Sequence, residues 1–162
     1  KGVRMGVDYV EFDVRATKDG AFFLLHDSRL NRTTDGNGPI DQTTAEAVRK
    51  LSAGVRFGQP FAAIPLPTMD EFIGEFAGKI GLYFDAKAIP PLAVAEALER
   101  HNMVDRTVVY QSAQYLAQLK AIMANFKVPK RCFVVDNLPR NTMGKVQKNL
   151  LRERYQSLFS TA

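Results

Sequence analysis

In "GVDYVEFDVRATKDGAFFLLHD", residues 6–27, two carboxylates and a histidine stand in a pattern that could do chemistry. Extended backbone points successive side chains to opposite faces. Glu11 and Asp13 therefore share one face with Tyr9, while Val10, Phe12 and Val14 share the other. Two carboxylates at i and i+2 on a strand can converge on one cation, and hard ions such as Mg²⁺ and Ca²⁺ favour oxygen ligands. The segment "LYFDAK" repeats the pattern, with Tyr83, Asp85 and Lys87 on one face and Leu82, Phe84 and Ala86 on the other. Asp85 offers a third carboxylate, and Lys87 a cation for an anionic phosphate. His26, at a strand end, is a candidate general acid or base because its unperturbed pKa lies near neutrality. Together these are parts for metal-assisted phosphoester cleavage, in which a cation polarises the phosphoryl oxygen. Spacing alone leaves another reading open: a solvated acidic face, a loop histidine and a surface Lys87–Asp85 pair of little energetic weight.

The elements that must hold these residues follow from periodicity and turn chemistry. Residues 7–15 read as a strand, "TKDG" as an Asp-Gly turn and "AFFLL" at 21–25 as a second strand, so the first connection is hairpin-like. "RTTDGNGPIDQTT" is loop. "TTAE" at 43–46 matches a capping box, with Thr43 as the cap and Glu46 reaching back; "TMDE" at 68–71 repeats the device. Thereafter "GLYFDAK" reads as a strand, "PPLAVAEALERHN" as a helix, "RTVVYQS" as a strand and "YLAQLKAIMAN" as a helix. Alternating strands and helices predict an α/β fold. His101, in "LERHNMV", sits where a helix should end; the helix dipole favours its cation there, and its expected role is structural.

Composition sets the outer bounds. The 162 residues suit one ordinary domain, are 46% hydrophobic and 24% charged, and contain no repeats. No apolar run approaches the roughly 20 residues of a membrane span. No signal-peptide pattern opens the chain, and the expected location is cytoplasmic. Cys132 is the single cysteine, so no internal disulfide forms. The net charge of +5 is uneven. Residues 1–122 hold 14 Lys/Arg against 15 Asp/Glu, net −1, and residues 123–162 hold 8 against 2, net +6. That shift marks a candidate seam near residue 122. The basic residues lack interleaved aromatics or a known module, so nucleic acid is not an expected partner.

The segment "GVDYVEFDVRATKDGAFFLLHDSRLNRTTDGNGPI" closely resembles the glycerophosphodiester phosphodiesterase family. That family combines a Glu-x-Asp strand, a Thr-Lys-Asp-Gly turn, an apolar strand ending in His-Asp, and then Leu-x-Arg-Thr-Thr with Gly-x-Gly. "IPLPTMDEF" resembles its Ile-Pro-Thr-Leu-Glu-Glu segment and "LYFDAK" its third acidic strand. The resemblance covers residues 1–122. It implies a partial (β/α)8, TIM-type barrel whose active site lies at the C-terminal ends of the strands. It further implies that Glu11, Asp13 and Asp85 bind a divalent cation, Mg²⁺ or Ca²⁺, that His26 is the catalytic acid/base, and that Lys87 contacts the substrate phosphate. The implied reaction is hydrolysis of a glycerophosphodiester to sn-glycerol 3-phosphate and an alcohol. The family's His-Arg-Gly motif, upstream of the Glu-x-Asp strand, has no match in these residues. The expectation is thus an N-terminally truncated barrel of impaired activity, the alternative being a non-catalytic binding protein that keeps the pocket.

The basic segment "VPKRCFVVDNLPRNTMGKVQKNLLRERY", residues 128–155, resembles instead the C-terminal end of acyl-CoA synthetases of the adenylate-forming family, especially malonyl-CoA synthetase-like members. The matching motif is Pro139, Gly144 and Lys145, and the resemblance implies that Lys145 contacts a substrate carboxylate and a nucleotide phosphate. The phosphate-binding loop and nucleotide pocket of that family are absent from the sequence. Two modules, 1–122 and a short α+β basic tail at 123–162, are therefore expected, as in a fusion or chimeric product; a second alternative is a remnant of an ATP-dependent acyl-CoA synthetase.

Overall fold

Alternation of apolar and polar residues produces strand β1, Tyr9–Ala16, followed after a tight turn by β2, Phe22–Leu24. The computed structural model describes residues 3–123 together with Pro139, Gln147, Leu150 and Glu153. The chain divides into two units, 1–129 and 130–162, and the elements below belong to the first. Helices α1 (Ala45–Arg49) and α2 (Met69–Phe76) precede strand β3 (Gly81–Asp85). Helix α3 (Pro91–Arg100), strand β4 (Thr107–Tyr110) and helix α4 (Ala113–Ile122) follow. Among the described residues no helix is long and apolar enough to cross a membrane.

The sheet order is β2-β1-β3-β4, antiparallel between β1 and β2 and parallel elsewhere. This is the mixed α/β arrangement expected of a partial barrel with one hairpin excursion. The hairpin turn is set by side-chain chemistry. The Thr17 hydroxyl donates to Asp19 Oδ1 at 2.6 Å and accepts from Ala21 N at 2.9 Å. Gly20 supplies the left-handed residue at φ +81°, which a side chain would oppose.

One face of the sheet carries the core. Phe12, Val14, Leu82, Phe84 and Ala86 are buried against residues of α2, α3 and α4, with Val10 packed at the margin. Phe84 stacks on Phe12 with ring centroids 4.5 Å apart, and Phe12 meets Phe72 of α2 at 4.7 Å. A second cluster under the excursion joins Phe23 and Leu25 to Leu30, Ile40, Val48 and Leu66. This cluster gives the long segment between β1 and α2 its own support.

The two expected capping boxes fare differently. At α2 the box forms as written: Glu71 N donates to Thr68 Oγ1 at 3.2 Å, and Thr68 N donates to Glu71 Oε2 at 2.8 Å. At α1 the cap is Thr44, one residue later than expected. Thr43 is already used, since its hydroxyl donates to Pro39 O at 2.9 Å and closes the preceding 3₁₀ turn. Asp19 takes the first free amide of α1 instead, accepting from Ala45 N at 2.9 Å. His101 ends α3 as expected; its ring packs on Gly74, and its Nε2 lies 3.1 Å from Asp70 Oδ1.

The α2 cap makes stability depend on acid. Hydrogen bonds from Arg49, then from the Thr68 amide, hold the Glu71 carboxyl down at about 2, against an ordinary 4.5. A depressed carboxyl stabilises the fold above its unfolded pKa, and that contribution is lost as pH falls through the folded value. Glu71→Gln is therefore expected to flatten the stability profile between pH 4.5 and about 2. At neutral pH it should cost about 1 kcal/mol or less, because the pair is half exposed. Urea unfolding across that range measures both effects.

Candidate active site

The parallel pairing of β1 with β3 sets Glu11 opposite Tyr83 and Asp13 opposite Asp85. Strands in register lie about 4.8 Å apart, so Asp13 and Asp85 are neighbours on the face away from the core, with Glu11 two residues earlier on β1. Asp85 ends β3, and Lys87 follows in a turn in which its amide donates to Asp85 O at 3.0 Å. The Lys87 ammonium sits between both carboxylates, 2.6 Å from Asp13 Oδ1 and 3.4 Å from Asp85 Oδ2. Partial burial of Lys87 works against its charge, but the hydrogen bonds and charges of Asp13 and Asp85 together outweigh that and raise its pKa. The closer partner is thus on the neighbouring strand, not the near neighbour in sequence.

His26 reaches the same region through backbone links. Leu25 N donates to Asp13 O at 3.2 Å, which ties the end of the excursion strand to β1. Arg15, two residues beyond Asp13, donates from Nε and Nη2 to His26 O at 3.1 and 2.9 Å. His26 Nδ1 lies 2.8 Å from Asp27 Oδ1, and Asp27 also accepts from Arg32 at 2.6 and 2.9 Å. The Arg32 bond, then that of His26, holds the Asp27 carboxyl far below the usual range. An ionised carboxylate only accepts, so Nδ1 carries the proton and Nε2 is left for chemistry. Glu11, Asp13 and His26 line one cleft of about 340 Å³.

Further residues position the site. Gln111, just past β4, donates from Nε2 to Ala86 O at 2.8 Å and to Lys87 O at 3.3 Å. The Tyr115 hydroxyl of α4 donates to Ile89 O at 2.7 Å, and burial pushes its pKa up to about 12. Both clamp the turn that carries Lys87. Tyr83, between Glu11 and Asp85, stacks on Tyr110 at 6.5 Å; burial first, and then the charges of Tyr110, Asp85 and Glu11, raise its pKa. Arg15, Gln111 and Tyr115 bind backbone carbonyls, and only the face-sharing of Arg15 with Asp13 could have been read in advance.

The donor set suits a hard divalent cation, since Glu11, Asp13 and Asp85 present oxygens alone. Among the described residues no three His, Cys, Asp or Glu side chains converge closely enough to enclose an ion. Lys87 instead acts as counter-cation to Asp13 and Asp85. Lys145 lies outside the described residues.

Comparison with known proteins bears on the family and the fold. The profile of the glycerophosphoryl diester phosphodiesterase family matches residues 1–154. A glycerophosphodiester phosphodiesterase of Caldanaerobacter subterraneus is 30% identical over 136 residues, covering 79% of this chain and 56% of that protein. The crystal structure of a glycerophosphodiester phosphodiesterase from Agrobacterium tumefaciens superposes with a TM-score of 0.69 at 31% identity, covering 75% of this chain and 53% of that one. A phosphodiesterase of Oleispira antarctica, solved with the product sn-glycerol-3-phosphate, gives a TM-score of 0.60 at 28% identity over 74% of this chain and 52% of its own. The chain thus spans about half the length of these proteins. On the extent of that match, the chain belongs to the glycerophosphoryl diester phosphodiesterase family.

Proposed function

We propose that the chain carries the site of a metal-dependent phosphoric diester hydrolase acting on glycerophosphodiesters and releasing sn-glycerol 3-phosphate and an alcohol. The observation that carries this reading is the joining of Glu11 and Asp13 with His26 in one cleft, beside the Lys87 cation. Glu11, Asp13 and Asp85 would hold a Mg²⁺ or Ca²⁺ ion. When bound, such an ion polarises a phosphoryl oxygen. Lys87 would exchange part of its contact with Asp13 for a phosphate oxygen of the substrate, which keeps the anion at the strand ends. His26 Nε2 would move the proton: water adds to phosphorus, the P–O bond to the alcohol breaks, and one proton of that water ends on the alcohol. Asp27 and Arg32 keep the ring in the required tautomer, and Arg15 fixes its height against β1.

One observation favours a second reading. His101, the other of the two histidines in these 162 residues, is packed on Gly74 at the end of α3, so of these two only His26 lines the cleft. A protein that binds phosphodiesters without turnover would look the same. The adenylate-forming reading of residues 123–162 rests on the sequence around Lys145.

Calorimetric titration with sn-glycerol 3-phosphate tests the site apart from turnover. Binding is expected with Mg²⁺ or Ca²⁺ present and in no chelated sample, and Glu11→Ala should abolish it. Equal binding with and without the cation, or none at all, would count against the site.

A further inference from the structure

Between α1 and α2 the chain leaves the excursion core in a closed loop, residues 53–64. Its two ends are tied by the Ala53 N bond to Ile64 O at 2.8 Å and by the antiparallel bridge of Ser52 with Pro65. Within it, Phe57 N donates to Gly54 O at 2.9 Å and Phe61 N to Gly58 O at 2.8 Å. Gly54 packs so tightly on the returning strand of the loop that a Cβ there would lie 1.9 Å from Phe61 O. A loop held this way presents its large apolar side chains instead of burying them. Phe57 is 76% exposed, Phe61 47%, Ile64 46% and Val55 38%.

Single exposed hydrophobes are ordinary, but several gathered in one short loop mark an interaction surface. The loop's one ionisable side chain is Arg56, exposed and anchored by a 2.6 Å bond from Nη2 to Asn31 O. It contains no carboxylate. Ala53 at one end and Leu66, just past the other, line the cleft that holds Glu11, Asp13 and His26. The apolar surface therefore rises from the rim of the cleft.

We propose that the 53–64 loop docks on the surface of a phospholipid bilayer, with Phe57 and Phe61 entering the acyl boundary and Arg56 pairing with lipid phosphate. Charge selects this occupant over a second copy of the chain. A two-fold interface would set the same patch against itself and bring two Arg56 side chains into it with no loop carboxylate to pair them, whereas a bilayer offers phosphates beside hydrocarbon. Phenyl rings suit that boundary, and a guanidinium can reach the headgroups from it. Docking there would turn the cleft toward lipid headgroups.

The test is co-sedimentation of the full chain with phosphatidylcholine vesicles containing increasing phosphatidylglycerol. Pelleting is expected, rising with the anionic lipid. Phe57→Ser should weaken it about tenfold or more, through loss of one phenyl burial, and Ile64→Ser should weaken it too. Arg56→Gln should remove the phosphatidylglycerol dependence. His26→Ala should pellet as the wild type does, so the result stands apart from turnover. Thermal unfolding of each variant confirms the fold. The proposal is overturned by absence of pelleting, or by equal pelleting of the wild type and folded Phe57→Ser. It is likewise overturned if pelleting is abolished by about 0.5 M salt and insensitive to Phe57→Ser, which would assign it to the basic segment 123–162. Self-association without lipid that Phe57→Ser abolishes would assign the loop to a second copy.

Discussion

Replacing Phe84 with alanine is expected to lower the unfolding free energy by about 3–5 kcal/mol. Phe84 is fully buried on the middle of β3, stacks on Phe12, and belongs to the cluster shared with α2, α3 and α4. Removing the ring opens a cavity where two strands and the helical layer meet, and helices locked by several neighbours collapse into it only in part. Domains are stable by about 5–15 kcal/mol in all, so the loss would leave this unit marginal. Urea unfolding should show a lowered midpoint at a similar slope. Phe84→Leu, which keeps most of the volume, is expected to cost far less. If both variants unfold alike, the ring is not packed as described.

The second large effect is on turnover. His26→Ala should reduce hydrolysis by roughly 10²- to 10⁴-fold, the usual weight of a positioned acid/base group. Its stability should hardly change, because the His26 side chain is 63% exposed and surface substitutions away from caps and cores fall within about 0.5 kcal/mol. Product binding with cation should persist in His26→Ala and vanish in Glu11→Ala. That split separates a proton carrier from a ligand, which a merely structural role for either residue would not produce.

The two acidic strands, their apolar partners facing the helices, and the Thr68–Glu71 box were legible because each depends on residues two or three apart. Strand alternation and capping are local, and local rules survive folding here. The Thr43 assignment failed because two adjacent threonines competed, and the 3₁₀ turn closed by Pro39 took the first. The Lys87–Asp13 contact was hidden for a different reason. It depends on the register of β1 against β3, and residues 74 apart carry no periodic signal of their pairing. Gln111 and Tyr115 were missed likewise, since each reaches a backbone carbonyl that any sequence would supply. The candidate carboxylates, histidine and lysine could be picked out in advance; the groups that hold them in place could not.

The account turns on whether this acidic cleft cleaves a phosphodiester. The most direct measurement is release of sn-glycerol 3-phosphate from glycerophosphocholine by the folded chain, with Mg²⁺ or Ca²⁺, with chelator, and as His26→Ala. The account predicts release that requires the cation and falls with the histidine. A folded chain that binds the product with cation but releases none from the diester would contradict it.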